Sequence, residues 1–271
     1  FLSYLALNTA ATGLSALNFN LDVIANNLAN VNTVGFKRSR VNFEDLFYLQ
    51  MAQPNLPRDS VNSFPTGLAT GLGVKVSGTQ LDTRQGPAEQ TGMTYDIMIE
   101  GDGFFVLQIP DSFGGGVGYT RAGNFTRNAD GELVLANAPG YRLIEPEITI
   151  PPDATGVSIG TDGVVSVTLS GATEPEEIGQ IQLARFINPA GLQSIGSNVF
   201  VQSAASGDAD IGNPGEDGRG RLLQGFLEQS NTEAVTELVS LIRTQRAFEM
   251  NSQVIQATNE TLQQVNQLRR F

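Results

Sequence analysis

The feature that most constrains the fold is an apolar stripe in the first thirty or so residues. Apolar side chains recur there at alternating steps of three and four, which is the spacing of a helix that packs lengthwise against another helix. The pattern predicts a helix from about Ser3 to Asn30, ended by turn residues up to position 33. Because a helix cannot bury its own stripe, we expect a partner helix elsewhere. The stripe consists of Leu7, Ala10, Leu14, Leu17, Leu21, Ile24, Leu28 and Val31.

A second long helix is predicted at the other end of the chain, in residues 230–271. Ser230 and Glu233 fit a capping box at its start. The helix carries two columns at seven-residue spacing, an apolar one and a polar one beside it. Polar residues in a helix–helix contact lower stability but specify register and partner number, which favours one defined packing. The apolar column is Leu241, Phe248, Ile255 and Leu262, and the polar column is Gln245, Ser252, Asn259 and Asn266.

The sequence between the two helices is typical of β-structure and loops. Short β-favouring runs in residues 74–202 alternate with Asp-Gly pairs that favour tight turns, so we expect a mainly antiparallel β-domain. Residues 34–73 form a connector, and its Pro- and Gly-rich part from about residue 48 is expected to be an extended arm, not a strand of a sheet. Residues 203–229 are expected to return the chain. The predicted fold class is α+β, with the N-terminal helix (1–33) and the C-terminal helix pairing as a coiled-coil-like domain.

Composition excludes several kinds of chemistry. The 271 residues include no Cys and no His, which rules out disulfides, thiolate zinc sites and imidazole catalysis. The formal net charge is −12, with the excess of acids in the middle of the chain, so we expect no nucleic-acid partner. No apolar run reaches the roughly 18 to 20 residues that cross a bilayer, and no cleaved signal peptide is visible. We therefore expect no membrane insertion, no cofactor and, for a protein that leaves the cytoplasm, export without a cleaved signal.

Charged clusters offer weak candidates for a site. The segment from Asn128 to Glu132 contains part of a calcium loop, but further ligands at the required spacing are missing, which favours a hairpin turn. Adjacent acids, such as those at positions 176 and 177, leave a carbohydrate-binding or hydrolytic β-domain as an alternative function. The basic cluster of Lys37, Arg38 and Arg40 is interpreted either as a solvated face or as a contact to an acidic neighbouring subunit. No catalytic or metal site is predicted.

Two motifs lie near the two ends of the chain. Residues 25–37 read Ala-Asn-Asn-Leu-Ala-Asn-Val-Asn-Thr-Val-Gly-Phe-Lys, and residues 245–252 read Gln-Arg-Ala-Phe-Glu-Met-Asn-Ser. In combination these motifs resemble the flagellar rod and hook family, the axial proteins of the bacterial flagellar basal body. Within the family, residues 43–47 followed by the extended arm are similar to a subunit of the distal rod. Further likeness lies in residues 99–105, 119–125, 130–133 and 223–228.

This resemblance implies a structural subunit, and not an enzyme, that self-assembles into a rigid helical tube and transmits motor torque to the hook. It implies proximal rod subunits, hook subunits and surrounding ring proteins as partners. It also implies export through the flagellar secretion apparatus and a place in the basal body, crossing the periplasm. A hook or proximal rod subunit of the same family is the alternative.

Two groups of residues are predicted to contact neighbouring copies. On the terminal helices, apolar side chains are expected to pack and amides to pair between subunits. Pairing of the two helices within one subunit is the alternative, although it leaves polar residues facing an apolar stripe. The arm, by the resemblance, stiffens the polymer. The helical residues are Leu14, Leu17, Leu21, Ile24, Asn26, Asn27, Leu28, Asn30, Leu241, Gln245, Phe248, Ile255 and Leu262, and the arm residues are Tyr48, Pro54, Pro57, Phe64 and Pro65.

Overall fold

The chain divides into two compact units. The helical unit comprises residues 1–28, 39–80 and 234–271, and the β-unit comprises residues 29–38 and 81–233. Most of the predicted connector after the first helix thus belongs with the helices, and the predicted return connector belongs with the β-unit. The computed structural model describes residues 2–52, 67–137, 141–143, 148–171 and 174–268.

Two long helices, α1 (Leu2–Ala29) and α2 (Ala234–Leu268), account for most of the helical unit. Their bounds agree with the predicted ones to within a few residues. The start of α2 differs in detail, because the helix begins only after the predicted capping box. The Ser230 hydroxyl accepts a hydrogen bond from the amide of Thr232 at 3.1 Å, in the segment that leads into the helix.

Two pairs of strands complete the helical unit. Strand β1 (Ser39–Asp45) pairs with β4 (Val74–Leu81), and β2 (Tyr48–Ala52) pairs antiparallel with β3 (Leu68–Gly71). The expectation of an unpaired arm is therefore wrong at both of its ends. Alternation of apolar and polar residues is weak in these short strands, so the sequence pattern favoured an extended segment over a strand pair.

The β-unit contains sixteen short strands among the described residues, and every strand pairing in it is antiparallel. This confirms the predicted antiparallel middle of the chain. The strands are β5 (Ala88–Gln90), β6 (Ile97–Glu100), β7 (Phe104–Gln108), β8 (Val117–Thr120), β9 (Phe125–Arg127), β10 (Leu133–Leu135), β11 (Arg142–Leu143), β12 (Ala154–Ile159), β13 (Val164–Leu169), β14 (Glu176–Gln180), β15 (Leu183–Arg185), β16 (Gln193–Gly196), β17 (Val199–Val201), β18 (Asp210–Gly212), β19 (Arg221–Gln224) and β20 (Phe226–Glu228).

The main sheet of the β-unit has nine strands. Seven follow the order β16-β17-β8-β7-β11-β10-β9, and β15 joins them by pairing with β7 and with β18. A separate three-stranded sheet has the order β12-β13-β14, while β6 pairs with β19 and β5 with β20. The last two pairings bring the returning chain back beside residues 88–100, so the segment before α2 is part of the β-unit and not a free connector.

Two of the three Asp-Gly pairs form the predicted hairpin turns. Gly131, between β9 and β10, and Gly163, between β12 and β13, have φ values of 90° and 88°. These left-handed conformations are accessible to glycine without a steric penalty. The pair at 102–103 does not close a hairpin, because β6 and β7 lie in different sheets.

The hydrophobic core of the β-unit consists of two clusters of buried residues. Its largest side chains are fully buried, which is the packing of a unit that excludes water by itself. The most buried large apolar residues in the described part of the chain all belong to this unit: Phe105, Ile97, Ile99, Leu107, Leu133, Leu135, Ile150, Ile181, Leu183, Leu222 and Val165.

The two units differ completely in charge. The helical unit contains seven acidic and seven basic residues, so its formal charge is zero. The β-unit contains 21 acidic and nine basic residues and carries the whole net charge of −12. A neutral surface allows many copies to approach one another closely, whereas a strongly acidic one opposes close contact.

Candidate assembly surface

Helices α1 and α2 are joined by hydrogen bonds between polar side chains. Asn20 donates from Nδ2 to Oγ1 of Thr244 at 3.1 Å, and Asn27 donates from Nδ2 to Oε2 of Glu237 at 3.5 Å. A step of seven residues forward along α1 thus matches a step of seven residues backward along α2. The two helices therefore run antiparallel in a register that these polar pairs specify.

A glycine in α1 continues the same register. A Cβ atom built on Gly13 would lie 2.5 Å from Nδ2 of Asn251, which is seven residues beyond Thr244. That amide donates a hydrogen bond to the carbonyl oxygen of Ala10 at 3.1 Å. Glycine costs about 1 kcal/mol relative to alanine inside a helix. At this position Gly13 leaves the space in which the Asn251 side chain of α2 reaches the backbone of α1.

The polar column of α2 that meets α1 is not the predicted one. Glu237 and Thr244 are 5% and 7% exposed, whereas Gln245 is exposed. Both candidate columns are polar and recur every seven residues, so periodicity alone does not decide which side of the apolar column faces the partner. The sequence of α1 contains a signal that identifies the correct column, because polar or small residues recur on it at the same seven-residue interval: Gly13, Asn20 and Asn27.

The predicted apolar residues of the two helices are mostly half-buried within the subunit. On α1, Ile24 is buried at 5% exposure, and the others keep part of their surface in solvent. Their contact with neighbouring copies stays a prediction, and their partial exposure leaves surface for it. The half-buried residues are Leu14, Leu17, Leu21 and Leu28 on α1 and Leu241, Phe248, Ile255 and Leu262 on α2.

The predicted amides do not form a uniform group. Asn27 is 3% exposed and binds the backbone of Ser39, with Nδ2 2.8 Å from its carbonyl oxygen and Oδ1 3.0 Å from its amide nitrogen. With Glu237 as a further acceptor, both amide protons of Asn27 are used inside the subunit, so the predicted pairing of Asn27 between copies is corrected. Asn30 accepts a hydrogen bond from the Thr33 hydroxyl at 3.1 Å, and Asn26 is exposed.

A second apolar face lies on the outside of α2. At about 100° per residue, most of these side chains lie roughly opposite the contact with α1, whereas Val254 lies nearer its edge and Val265 shares the column of Glu237 and Thr244. These apolar side chains are between 42% and 68% exposed, which is unusual for so many large apolar residues on one helix. The residues are Val235, Leu238, Val239, Ile242, Met250, Val254 and Val265.

The strand pairs of the helical unit also expose apolar side chains. Phe47 is 88% exposed, and Tyr48, at 61%, donates a hydrogen bond to Asp45 that raises the pKa of the phenol. Phe47 lies between β1 and β2, and four residues of strands β1 to β3 are exposed as well: Phe43, Leu49, Met51 and Leu68. Of the predicted arm residues, Tyr48 is therefore exposed on β2, whereas Pro54, Pro57, Phe64 and Pro65 lie outside the described residues.

A buried ion cluster lies in the β-unit. Nζ of Lys37 is 2.6 Å from Oε1 of Glu228, and both side chains are 1% exposed. Lys37 also donates to the carbonyl oxygen of Arg84 at 2.7 Å, and Oε1 of Glu228 accepts a hydrogen bond from the amide of Gly86 at 2.9 Å. Arg121 approaches the other oxygen of Glu228 at 3.5 Å.

This cluster overturns both interpretations of Lys37. The residue is neither on a solvated face nor available to a neighbouring subunit, because it is enclosed with its counter-ion. Burial lowers the pKa of Lys37, and the nearby Glu228 carboxylate opposes that shift. Burial also lowers the pKa of Arg121. Glu228 ends β20, so the cluster fixes the strand that leads toward α2 against the segment that follows α1.

The neighbouring basic residue Arg38 is paired as well. Its Nε lies 3.0 Å from Oδ2 of Asp82, and its amide donates to Oδ1 of Asn231 at 2.8 Å. Nδ2 of Asn231 donates to the carbonyl oxygen of Asp82 at 2.7 Å. Hydrogen bonds from Arg84 and then from Arg38 hold the pKa of Asp82 well below its usual range.

The calcium-like segment is a turn. Oδ1 of Asn128 accepts hydrogen bonds from the amides of Asp130 and Glu132 at 3.0 and 2.8 Å. Glu132 accepts from Asn128 and from Arg142, which together lower the pKa of its carboxyl. Within the described residues, no group of three acidic side chains is placed to hold a metal ion, and no helix has the length and apolar character needed to cross a membrane.

The β-unit has a buried core and an acidic surface, whereas the helical unit is neutral and exposes apolar faces. This combination is typical of structural proteins that associate with other subunits. Three family descriptions match the chain: "Flagella basal body rod protein" over residues 7–37, "Flagellar hook protein FlgE/F/G D1 domain" over residues 98–167, and "Flagellar basal body rod FlgEFG protein C-terminal" over residues 223–268. The first and third fall largely on the helices and the second on the β-unit.

Curated relatives extend the similarity over nearly the whole chain. The flagellar basal-body rod protein FlgG of Caulobacter vibrioides is 46% identical over 97% of this chain and 99% of its own length. The FlgG protein of Borreliella burgdorferi is 43% identical over 98% of both chains. The rod protein FlgF of Caulobacter vibrioides is 35% identical over 93% of this chain and 94% of its own length. The chain belongs to the flagellar basal-body rod protein family, which is a structural and not an enzymatic family, and within it the chain is similar to the distal rod protein.

Proposed function

We propose that this chain is the structural subunit of the bacterial flagellar distal rod and that it self-assembles into a rigid helical tube that transmits motor torque to the hook. The observation that carries the proposal is the distribution of exposed apolar side chains. Of the 18 large apolar residues exposed in the described part of the chain, 14 belong to the helical unit. A neutral unit that exposes this much apolar surface gains free energy when copies bury it.

Within the tube, α1 and α2 pair in a coiled-coil-like manner and line its inner wall. The antiparallel hydrogen bonds of Asn20 with Thr244 and of Asn27 with Glu237 support this pairing. Polar residues in such a seam lower the stability of an isolated pair and specify its register. Contacts with neighbouring copies then supply the burial that the pair lacks alone.

The proposed location is the basal body, where the rod crosses the periplasm after export through the flagellar secretion apparatus. The neighbours of the tube are proximal rod and hook subunits at its ends and ring proteins around it. The acidic β-unit is the part proposed to face outward, because its charge opposes close packing near the axis of a tube. No catalytic role is proposed.

The exposed strand pairs and the arm that continues from them are proposed to stiffen the tube. Phe47 and Tyr48 carry large apolar surface that no part of the described chain covers, at 88% and 61% exposure. Side chains of this kind contribute most when they are inserted into a pocket on a partner. An arm fixed to neighbouring subunits would resist bending of the polymer.

Assembly is tested by electron microscopy of the concentrated purified protein. We expect straight tubes from the unaltered chain and none from Leu21→Asp, because a carboxylate on the half-buried face of α1 cannot be desolvated between helices. The matched control is Ile187→Asp, which changes a residue of the β-unit that is 95% exposed and is expected to leave assembly intact. Tubes from Leu21→Asp, or none from the unaltered chain, would contradict the proposal.

A hook or proximal rod subunit is the second candidate, because the chain is also 35% identical to a rod protein other than FlgG, named FlgF. Deletion of residues 48–65 distinguishes the candidates. A distal rod subunit is expected to lose straightness or stiffness without this segment, measured as the persistence length of the tubes in micrographs. An unchanged persistence length would count against the distal rod.

A further inference from the structure

The outer face of α2 has an apolar stripe with two positive charges in its middle. Arg246 lies between Ile242 and Met250 on the side of the helix that points away from α1, and Arg243 lies at the edge of that side. One exposed acid, Glu249, lies on the same side. Both arginines are exposed, and neither makes an ion pair or a hydrogen bond with any described residue of the chain. The stripe therefore has both an apolar surface and an unused positive charge.

The outer face of α1 has the complementary character. Five exposed residues recur on it at steps of four and three along the helix, and the exposed Phe19 lies beside this line. Asp22 is the only charged residue of α1, and it makes no ion pair with any described residue. The other residues on this line are small, so another helix can approach the backbone closely: Ala11, Ser15, Asn18 and Ala25.

The register within the subunit places these two faces at the same height. Because Asn20 is level with Thr244 and Asn27 with Glu237, Asp22 is level with Ile242. By the same count, Ala25 is level with Val239 and Asn18 with Arg246. The large Val239 thus matches the small Ala25, while Arg243 and Arg246 are level with Leu21 and Asn18, one and four residues from Asp22 along the helix.

Resting on the proposed self-assembly, we propose that the outer face of α2 docks on the outer face of α1 of a second copy, with Arg243 and Arg246 of one copy close to Asp22 of the next. The two faces belong to opposite sides of the helix pair, so the contact is head-to-tail. A contact of this kind does not close on two copies and continues into a ring or an open helix. The neighbours lie side by side at nearly equal height, and helices alternate in direction around the wall.

Charge reversal tests the pairing. Asp22→Arg, and separately Arg243→Asp with Arg246→Asp, are each expected to raise the protein concentration needed for assembly at least about tenfold, because each places like charges opposite one another. The triple variant restores opposite charges and is expected to return within about threefold of the unaltered chain. Arg127→Asp, an exposed reversal in the β-unit, is the control and is expected to have no effect.

Cross-linking tests the register directly, since the chain contains no cysteine. A mixture of Ala25→Cys and Val239→Cys chains, oxidised after assembly, is expected to give a disulfide-linked dimer that contains one of each. A mixture of Ala25→Cys with Gln256→Cys is the control, because Gln256 is exposed on a different face of α2. Equal yields from the two mixtures, or no 25–239 dimer, would overturn the docking geometry.

The failure of this inference is distinguishable from the failure of the proposed function. An unaltered chain that stays monomeric at high concentration overturns the proposed function and the docking with it. Tubes that form from the unaltered chain and equally from the single-face reversals overturn the docking alone. Loss of assembly in the reversals without recovery in the triple variant also overturns it.

Discussion

The two units of this chain differ in the burial of their apolar side chains and in their net charge. The β-unit holds every fully buried large apolar side chain in the described residues, together with the whole net charge of −12. The helical unit is neutral, and among its described residues only three apolar ones, Ala10, Ala16 and Ile24, are buried. The β-unit is therefore complete as a folding unit, whereas the helical unit reaches full burial only among neighbours.

The difference also shows in how each unit uses buried polar groups. In the β-unit, Lys37 and Glu228 form an ion pair in which each side chain is only 1% exposed. In the helical unit, amides join the two helices through hydrogen bonds to a hydroxyl and a carboxyl group, from Asn20 to Thr244 and from Asn27 to Glu237. A buried ion pair is costly to break, whereas a polar seam mainly specifies register. A subunit that must fold first and assemble later benefits from this division.

The largest expected effect is a cavity in the core of the β-unit. Phe105→Ala removes a ring that is 0% exposed and is expected to lower the free energy of unfolding by about 3–5 kcal/mol. Phe47→Ala, at 88% exposure in the helical unit, is expected to change it by less than about 0.5 kcal/mol. Urea unfolding followed by tyrosine fluorescence measures both. Similar losses of unfolding free energy in the two variants would contradict the claim that the β-unit has a closely packed core and that Phe47 lies outside any core.

Removal of one partner from the ion cluster should be nearly as damaging. Lys37→Met leaves the buried Glu228 with the amide of Gly86 and with Arg121, at 3.5 Å, as its charged partner among the described residues. A loss of about 3–5 kcal/mol is expected when a buried charge loses its close counter-ion. Lys37→Arg keeps the charge and is the matched control. Urea unfolding of the β-unit is the measurement, and a loss below about 1 kcal/mol would show that Arg121 alone compensates Glu228.

A smaller effect is expected in the seam between the helices. Thr244→Val removes the acceptor of the Asn20 amide and should cost about 1 kcal/mol, the usual value for one lost hydrogen bond. Because the seam belongs to the helical unit, the loss should appear in helix melting by circular dichroism and not in the unfolding of the β-unit. Loss of stability in both units would contradict their independence.

The smallest effect is a dependence on pH. The pKa of Asp82 is held below its usual range by Arg84 and Arg38, so its carboxylate stabilises the fold at neutral pH. This stabilisation is present above the ordinary aspartate pKa of about 3.9 and is lost as the pH falls further. Asp82→Asn should be less stable than the unaltered chain at pH 7, with the difference shrinking below about pH 4 in urea unfolding. A constant difference would contradict the assigned pairing.

Much of the fold follows from the sequence, because its signals are local. The alternating steps of three and four residues predict α1, and the Asp-Gly pairs at 130–131 and 162–163 predict two hairpins that the structure confirms. The family and the rod function are also confirmed, since the motifs at both ends are distinctive in combination. The α+β class with an antiparallel middle is confirmed in the same way.

The pairings that join distant parts of the chain could not be predicted. Lys37 follows the end of a helix, where a solvated cation is common. Its partner Glu228 is 191 residues away in the sequence, and no local pattern predicts that the two pair. The polar face of α2 was assigned to the Gln245 column, because periodicity fixes a stripe but not which neighbouring column turns toward the partner. The short strands β2 and β3 pair although about fifteen residues separate them in the sequence. They are therefore not marked by the short turn sequence that joins the strands of a tight hairpin.

The most direct test of the difference between the units is hydrogen exchange of the dilute monomer and of the assembled polymer, resolved by peptide. Amides of the β-unit core, such as those of β7 and β13, should be protected in both states. Amides of α1 and α2 should exchange quickly in the monomer and become protected on assembly. Helices that are already as protected as the β-unit in the monomer would contradict the account, because the helical unit would then be complete without neighbours.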